Sequence, residues 1–198
     1  MSRYNFHPVN RDQSYLLPPD LKEWLPEGDL AWFIVDATEQ MDLEPFYRKY
    51  RADGQGNTAY EPSMMVSLLL YAYSLGIRSS RKIERMCTRD IAFRVITANQ
   101  APDHSTIARF RQANEKELAE IFTQVLRLCA EAGMVQVGRV AIDGTKPKAN
   151  ASLAANRKYR SIKKEIKQIL KEAAAKDAEE DEIYGPENRG DELPEELN

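Results

Sequence analysis

Asp103-His104-Ser105-Thr106 opens a stretch that continues to Arg109 and Arg111, and the residues before it include Arg78, Ser80, Arg81, Lys82 and Arg85. Cations at this density suit phosphate oxygens, while hydroxyl, imidazole and guanidinium groups near a helix N-terminus can reach base edges. The expected arrangement has Arg78, Arg81, Lys82 and Arg85 holding a nucleic-acid backbone, with Ser80 among the residues expected to touch DNA. His104, Ser105, Thr106, Arg109 and Arg111 then belong to the helix that enters the major groove. The same charges also occur on solvated faces of ordinary helices, and that reading stays open here. His104 alone reads as a capping or surface residue, and His7 has no acid or cysteine beside it to suggest a metal. Ser105 has no visible base partner that would make it a nucleophile.

A second group is Val140-Ala141-Ile142-Asp143-Gly144-Thr145, followed by Lys146, Lys148 and Asn150. A carboxylate at the end of a buried strand can hold a divalent cation, and paired cations activate the attacking oxygen and stabilise the leaving one in phosphoryl transfer. An Asp-Gly pair after an apolar run is equally a turn signal. The acids from Asp177 to Glu182 do not complete a site with Asp143, because they read as a solvated helix end.

The charge balance around these groups is strongly segregated. The net charge of the 198 residues is -3. Residues 76–111 carry eight Lys/Arg against three Asp/Glu (+5), residues 139–171 ten against two (+8), and residues 176–198 two against ten (-8). The basic blocks are what a polyanion would meet. Cys87 and Cys129 fall in helix-like apolar patterns and read as buried free thiols of a reducing compartment. No apolar run at the start resembles a signal peptide, and residues 64–73 are about half of what a bilayer crossing needs. A cytoplasmic location without a membrane role is expected.

The elements that must position these residues are mostly short helices. Residues 1–28 are proline-rich and read as an extended arm, which Leu16, Leu17, Leu21, Trp24 and Leu25 pin to a core. Asp29 caps a helix with Leu30, Phe33, Ile34, Ala37 and Met41 on one face. Residues 53–57 are a loop. Pro62 and Ser63 start a helix that is apolar almost all round over 64–75, predicted to be central and buried, and Gly76 stops it. Ser79 or Ser80 caps a helix over 81–86, Thr88 caps one over 89–96, residues 98–102 turn, and Asp103 or Ser105 caps the helix through Ile107 and Phe110. Residues 117–132 repeat apolar positions at helical spacing and end at Gly133. Residues 135–142 read as a strand. A helix over about 156–182 places Tyr159, Ile162, Ile166, Ile169 and Ala173 on a seam that wants a partner helix. Asp191-Glu192-Leu193-Pro194 then has the character of a new helix start.

Several stretches together resemble one family. They are Leu16-Leu17-Pro18-Pro19; residues 60–73, Tyr-Glu-Pro-Ser-Met-Met-Val-Ser-Leu-Leu-Leu-Tyr-Ala-Tyr; residues 76–83, Gly-Ile-Arg-Ser-Ser-Arg-Lys-Ile; and residues 90–94, Asp-Ile-Ala-Phe-Arg. Residues 102–107, Pro-Asp-His-Ser-Thr-Ile, with Phe110 and Arg111, and residues 141–146, Ala-Ile-Asp-Gly-Thr-Lys, with residues 149–152, Ala-Asn-Ala-Ser, complete the set. In this order they look like the insertion-sequence transposases of the DDE type, whose helical N-terminal domain precedes an RNase H-like core. The tail, including residues 189–194, resembles the helical insertion those enzymes carry after the first core strand.

That resemblance implies a mainly α chain. A multi-helix, helix-turn-helix-like DNA-binding domain would occupy residues 1–134, one or two strands of an incomplete RNase H-like core residues 135–155, and a long protruding helix with a truncated insertion residues 156–198. It further implies that Asp143 is the first of three carboxylates holding Mg²⁺ or Mn²⁺. Terminal inverted repeats would be the duplex recognised, with Lys146 and Lys148 as further DNA contacts and the nucleoid as the place of action. The second Asp and the Glu that the family places downstream are absent from these 198 residues. The chain alone is therefore expected to hold no stable metal pair and to be inactive in cutting. A catalytically inactive DNA-binding module, a competitor of the intact enzyme and a decayed remnant are the alternatives. A homodimer, or pairing with intact transposase, is expected through the 156–182 helix.

Overall fold

The computed structural model describes residues 20–50, 59–131 and 151–191. The loop over 53–57, the strand over 135–142, Asp143, Lys146 and Lys148 lie outside the described residues. Among those described the chain is helical. A 3-10 turn at Leu21–Glu23 precedes α1 (Leu30–Glu39), α2 (Glu44–Tyr47), α3 (Pro62–Ser74), α4 (Ser80–Arg89), α5 (Ile91–Ile96), α6 (His104–Ala113), α7 (Glu115–Glu131) and α8 (Ala151–Tyr184).

Helix starts follow the capping chemistry. Asp29 accepts from the Ala31 amide at 2.8 Å, Ser79 from Lys82 at 3.0 Å and Asp103 from Thr106 at 2.8 Å. One start differs from expectation. Thr88 does not cap α5; α4 runs on to Arg89, and Asp90 caps α5 through the amides of Ala92 and Phe93. Aspartate offers an ionised acceptor to two orphan amides, whereas the Thr88 hydroxyl donates back to the Arg85 carbonyl within α4. Gly76 stops α3 at φ +75, in the left-handed region that favours glycine.

The core forms around α3, on which every residue from 64 to 73 is buried, as its unbroken apolar run predicts. The helices α1 and α5 pack on it and on each other, with Tyr71 and Phe93 edge to face at 5.1 Å. Tyr73 meets Phe122 of α7 in the same way at 5.8 Å. Leu25 from the preceding segment packs on this core, and the Trp24 ring receives Arg94 at 4.8 Å. The buried Cys87 thiol is pushed up to about 12 by burial, with Glu84 adding to the shift.

The long helix corrects an expectation. Its seam is not left for a second copy: Ile162, Ile166, Leu170 and Ala173 are buried in the same core as Leu118, Ile121, Phe122 and Val125 of α7. Ile169 is only partly buried and Leu170 takes the central place, because a straight helix of 3.6 residues per turn drifts off a strict 3-4 repeat. Beyond this seam α8 reaches α4 and α6, so over its described side chains it lies against the helical core rather than protruding.

Candidate nucleic-acid interface

The helix α6 is built from its cap outward. Asp103 accepts both the amide and, at 2.7 Å, the hydroxyl of Thr106. Burial pushes the Asp103 carboxyl up, but these two bonds and nearby Arg109 outweigh it and hold the group below its usual value. Ile107 and Phe110 face the core, with Phe110 stacked on Phe46 at 6.0 Å. That leaves Ser105, Ala108, Arg109 and Gln112, spaced i, i+3, i+4 and i+7, along one outward face. These four line an open cleft of about 530 Å³. Arg109 is exposed and leans on its own helix, donating from Nε to the Ser105 carbonyl at 3.2 Å and from Nη2 to Thr106 Oγ1 at 3.3 Å. It also borders a hollow of about 460 Å³ that contains Lys49, Tyr50 and Tyr60.

The other cations of the basic block are placed differently from a single phosphate-facing surface. Arg81 is 2% exposed, donating from Nε to the Asn188 carbonyl at 2.8 Å and from Nη2 to the Gly185 carbonyl at 2.6 Å and Asp181 at 2.8 Å. Arg111, also 2% exposed, pairs with Asp177 at 2.7 Å. The Ser80 amide and hydroxyl donate to the same carboxylate at 2.8 and 2.6 Å. Burial alone would ease the proton off Arg111, but Tyr73 and Asp177 beside it more than compensate and hold its guanidinium above the usual value. His104 is buried, with Nδ1 2.8 Å from Glu84 and Nε2 3.0 Å from the Pro186 carbonyl. Arg78 donates to the Tyr73 carbonyl at 2.8 Å and lies 3.8 Å from Glu172. Arg85 and Arg89 converge on Asp191 at 4.0 and 3.1 Å.

Of the residues expected to touch DNA, then, Lys82 and Arg109 are exposed and Ser105 and Thr106 half-buried. Ser80, Arg81, His104 and Arg111 are buried, and each is hydrogen-bonded within the chain, although Nη2 of Arg111 has no hydrogen-bond partner among the described residues. Asp177, read as part of a solvated helix end, is 5% exposed and is the acceptor for three donors. The sequence held one signal of this: the acidic block over 176–198 has the opposite sign to the basic block over 76–111. Among the described residues no three His, Cys, Asp or Glu side chains gather as a metal site, and no helix is long and apolar enough to cross a membrane.

Residues 19–113 match the family model of a transposase domain (DUF772). The chain carries a transposase domain. The match takes in α1 through α6 and so includes the capped helix with Arg109. The match to a transposase domain implies DNA as a partner. The match ends before α7, so Asp181, Gly185 and Asn188, which bond Arg81, and Asp177, which pairs with Arg111, come from outside it. No curated protein and no solved structure matches the chain.

Proposed function

We propose that the transposase domain binds duplex DNA by seating α6 in the major groove, reading the terminal inverted repeats of its element. The observation that carries this reading is the face of α6 itself. Ser105, Ala108, Arg109 and Gln112 project from a helix whose opposite side is fixed by Ile107 and Phe110. Arg109 can donate two N–H groups to a guanine, Gln112 can pair with an adenine edge, and Ala108 can pack on a thymine methyl. Lys82, exposed on the neighbouring α4, supplies a phosphate contact. Asp143 as a ligand for Mg²⁺ or Mn²⁺, with Lys146 and Lys148 beside it on the DNA, rests on the family resemblance alone.

The test is equilibrium binding of the purified chain to a labelled terminal-repeat duplex over a series of salt concentrations. Phosphate contacts release counterions, so the logarithm of the affinity should fall linearly with the logarithm of salt, by roughly 0.9 per phosphate neutralised. No binding at low salt, or an affinity indifferent to salt, would remove the reading.

A further inference from the structure

We infer that the segment from Tyr184 to Asp191 is an acidic cover over the DNA-facing side of α4 and α6, and that it must lift for the basic residues beneath it to meet phosphate. The inference rests on the proposed DNA reading and concerns its regulation. The oxygens on Arg81, from Gly185, Asn188 and Asp181, stand where a phosphodiester would offer its own acceptors. Asp191 does the same for Arg85 and Arg89. Across the cleft from Ser105 and Arg109 lie Asp177, Asp181 and Glu187. A duplex approaching α6 therefore meets carboxylates on one wall. Residues 184–191 hold Glu187 and Asp191 against Arg189 (-1) and continue the end of α8, where residues 176–183 hold one cation against five acids (-4), opposite in sign to the +5 of residues 76–111.

The contact has a fixed part and a releasable part. Asp177 continues the buried seam of α8 and is tied to Arg111 and Ser80, so it belongs to the core. Past it the packing thins. Ile183 is 61% exposed and Tyr184 43% exposed, and the chain then reverses at Gly185, where φ is +81. The reversal is a specific fold: Asn188 donates back to the Tyr184 carbonyl at 2.8 Å. Gly190, at φ +76, lies so close to the Tyr184 ring that a Cβ there would stand 2.7 Å from its Cγ. A short surface segment held by hydrogen bonds and ion pairs, with little apolar burial, is the kind that opens locally without global unfolding. Its closed population lowers the apparent DNA affinity by the fraction of molecules that are open.

The experiment compares binding of the full chain and three variants to the labelled repeat duplex at one salt concentration. Gly190→Ala disrupts the reversal without altering charge. Asp191→Asn removes one acid from the cover, and Glu179→Gln removes one acid from the exposed side of α8, where it pairs with Lys176. The expected result is an affinity gain of about fivefold or more for Gly190→Ala and Asp191→Asn, with Glu179→Gln within about twofold of the parent. Wild-type binding that Gly190→Ala leaves unchanged or weakens would overturn the cover and leave the DNA reading standing. Absence of duplex binding by every protein, parent included, would overturn both. Amide hydrogen exchange over residues 185–191 of the parent gives an independent readout. Faster exchange on adding duplex supports the cover, and unchanged or slower exchange overturns it.

Discussion

Asp177 shows how much one side chain can carry when it is placed at a junction. It sits on the core side of α8, 5% exposed, and satisfies the Ser80 amide and hydroxyl together with Arg111. Truncation to alanine leaves a buried guanidinium without its counterion, which costs about 3–5 kcal/mol. Asp177→Ala should therefore lower the urea midpoint markedly, whereas Glu179→Ala, on the exposed side, should not move it measurably. Asp103 gives a pH dependence of known sign. Its carboxyl is held below the ordinary value by Thr106 and Arg109 against the opposing effect of burial. The stability this gives is complete above the unfolded carboxylate value of about 3.9 and is lost as pH falls through the folded one. Asparagine caps a helix without titrating, so the stability difference between the parent and Asp103→Asn should be flat above about pH 5 and shift against the parent in acid. Denaturant melts at several pH values check it. Residue chemistry was legible in the sequence where it is local: Asp29, Ser79 and Asp103 cap the helices that follow them. Asp177 was not, because its partners lie 66 and 97 positions away.

At the scale of elements, the central α3 and the amphipathic α7 follow directly from their apolar patterns, one unbroken and one periodic. For α8 the pattern shows an apolar stripe but not what covers it. A seam of Ile162, Ile166, Leu170 and Ala173 fits a second chain or a helix of the same chain equally well by spacing, and α7 is the one that covers it. Ile166 is 1% exposed. Ile166→Ala should cost about 2–5 kcal/mol through lost burial and the cavity left behind, read as a lowered unfolding midpoint. If α8 served chiefly to join two copies, that midpoint would rise with protein concentration in the parent. The structure predicts none of that dependence.

For the whole molecule, the sequence displays two charge blocks of opposite sign, and the fold brings them together. Taken by itself, the basic block reads as a surface open to DNA. Folding instead turns Arg81 and Arg111 toward the acids of α8 and the residues after it, and leaves Arg109 and Lys82 outward. Complementary charge is legible in composition, but which carboxylate meets which cation depends on the packing of α8 on α7, α4 and α6. On the proposed reading, the surface of the transposase domain that meets DNA is therefore narrower than its composition suggests and is centred on the outer face of α6. The most direct test of that surface is the ratio of affinities for a terminal-repeat duplex and a scrambled duplex, measured for the parent, Arg109→Ala and Lys82→Ala. Loss of a base contact should cost about 1–3 kcal/mol on the repeat alone, so Arg109→Ala should collapse the ratio. Lys82→Ala should weaken both duplexes alike and keep it. An Arg109→Ala protein that loses affinity for both duplexes by the same factor would contradict the assignment of α6 as the helix that reads DNA.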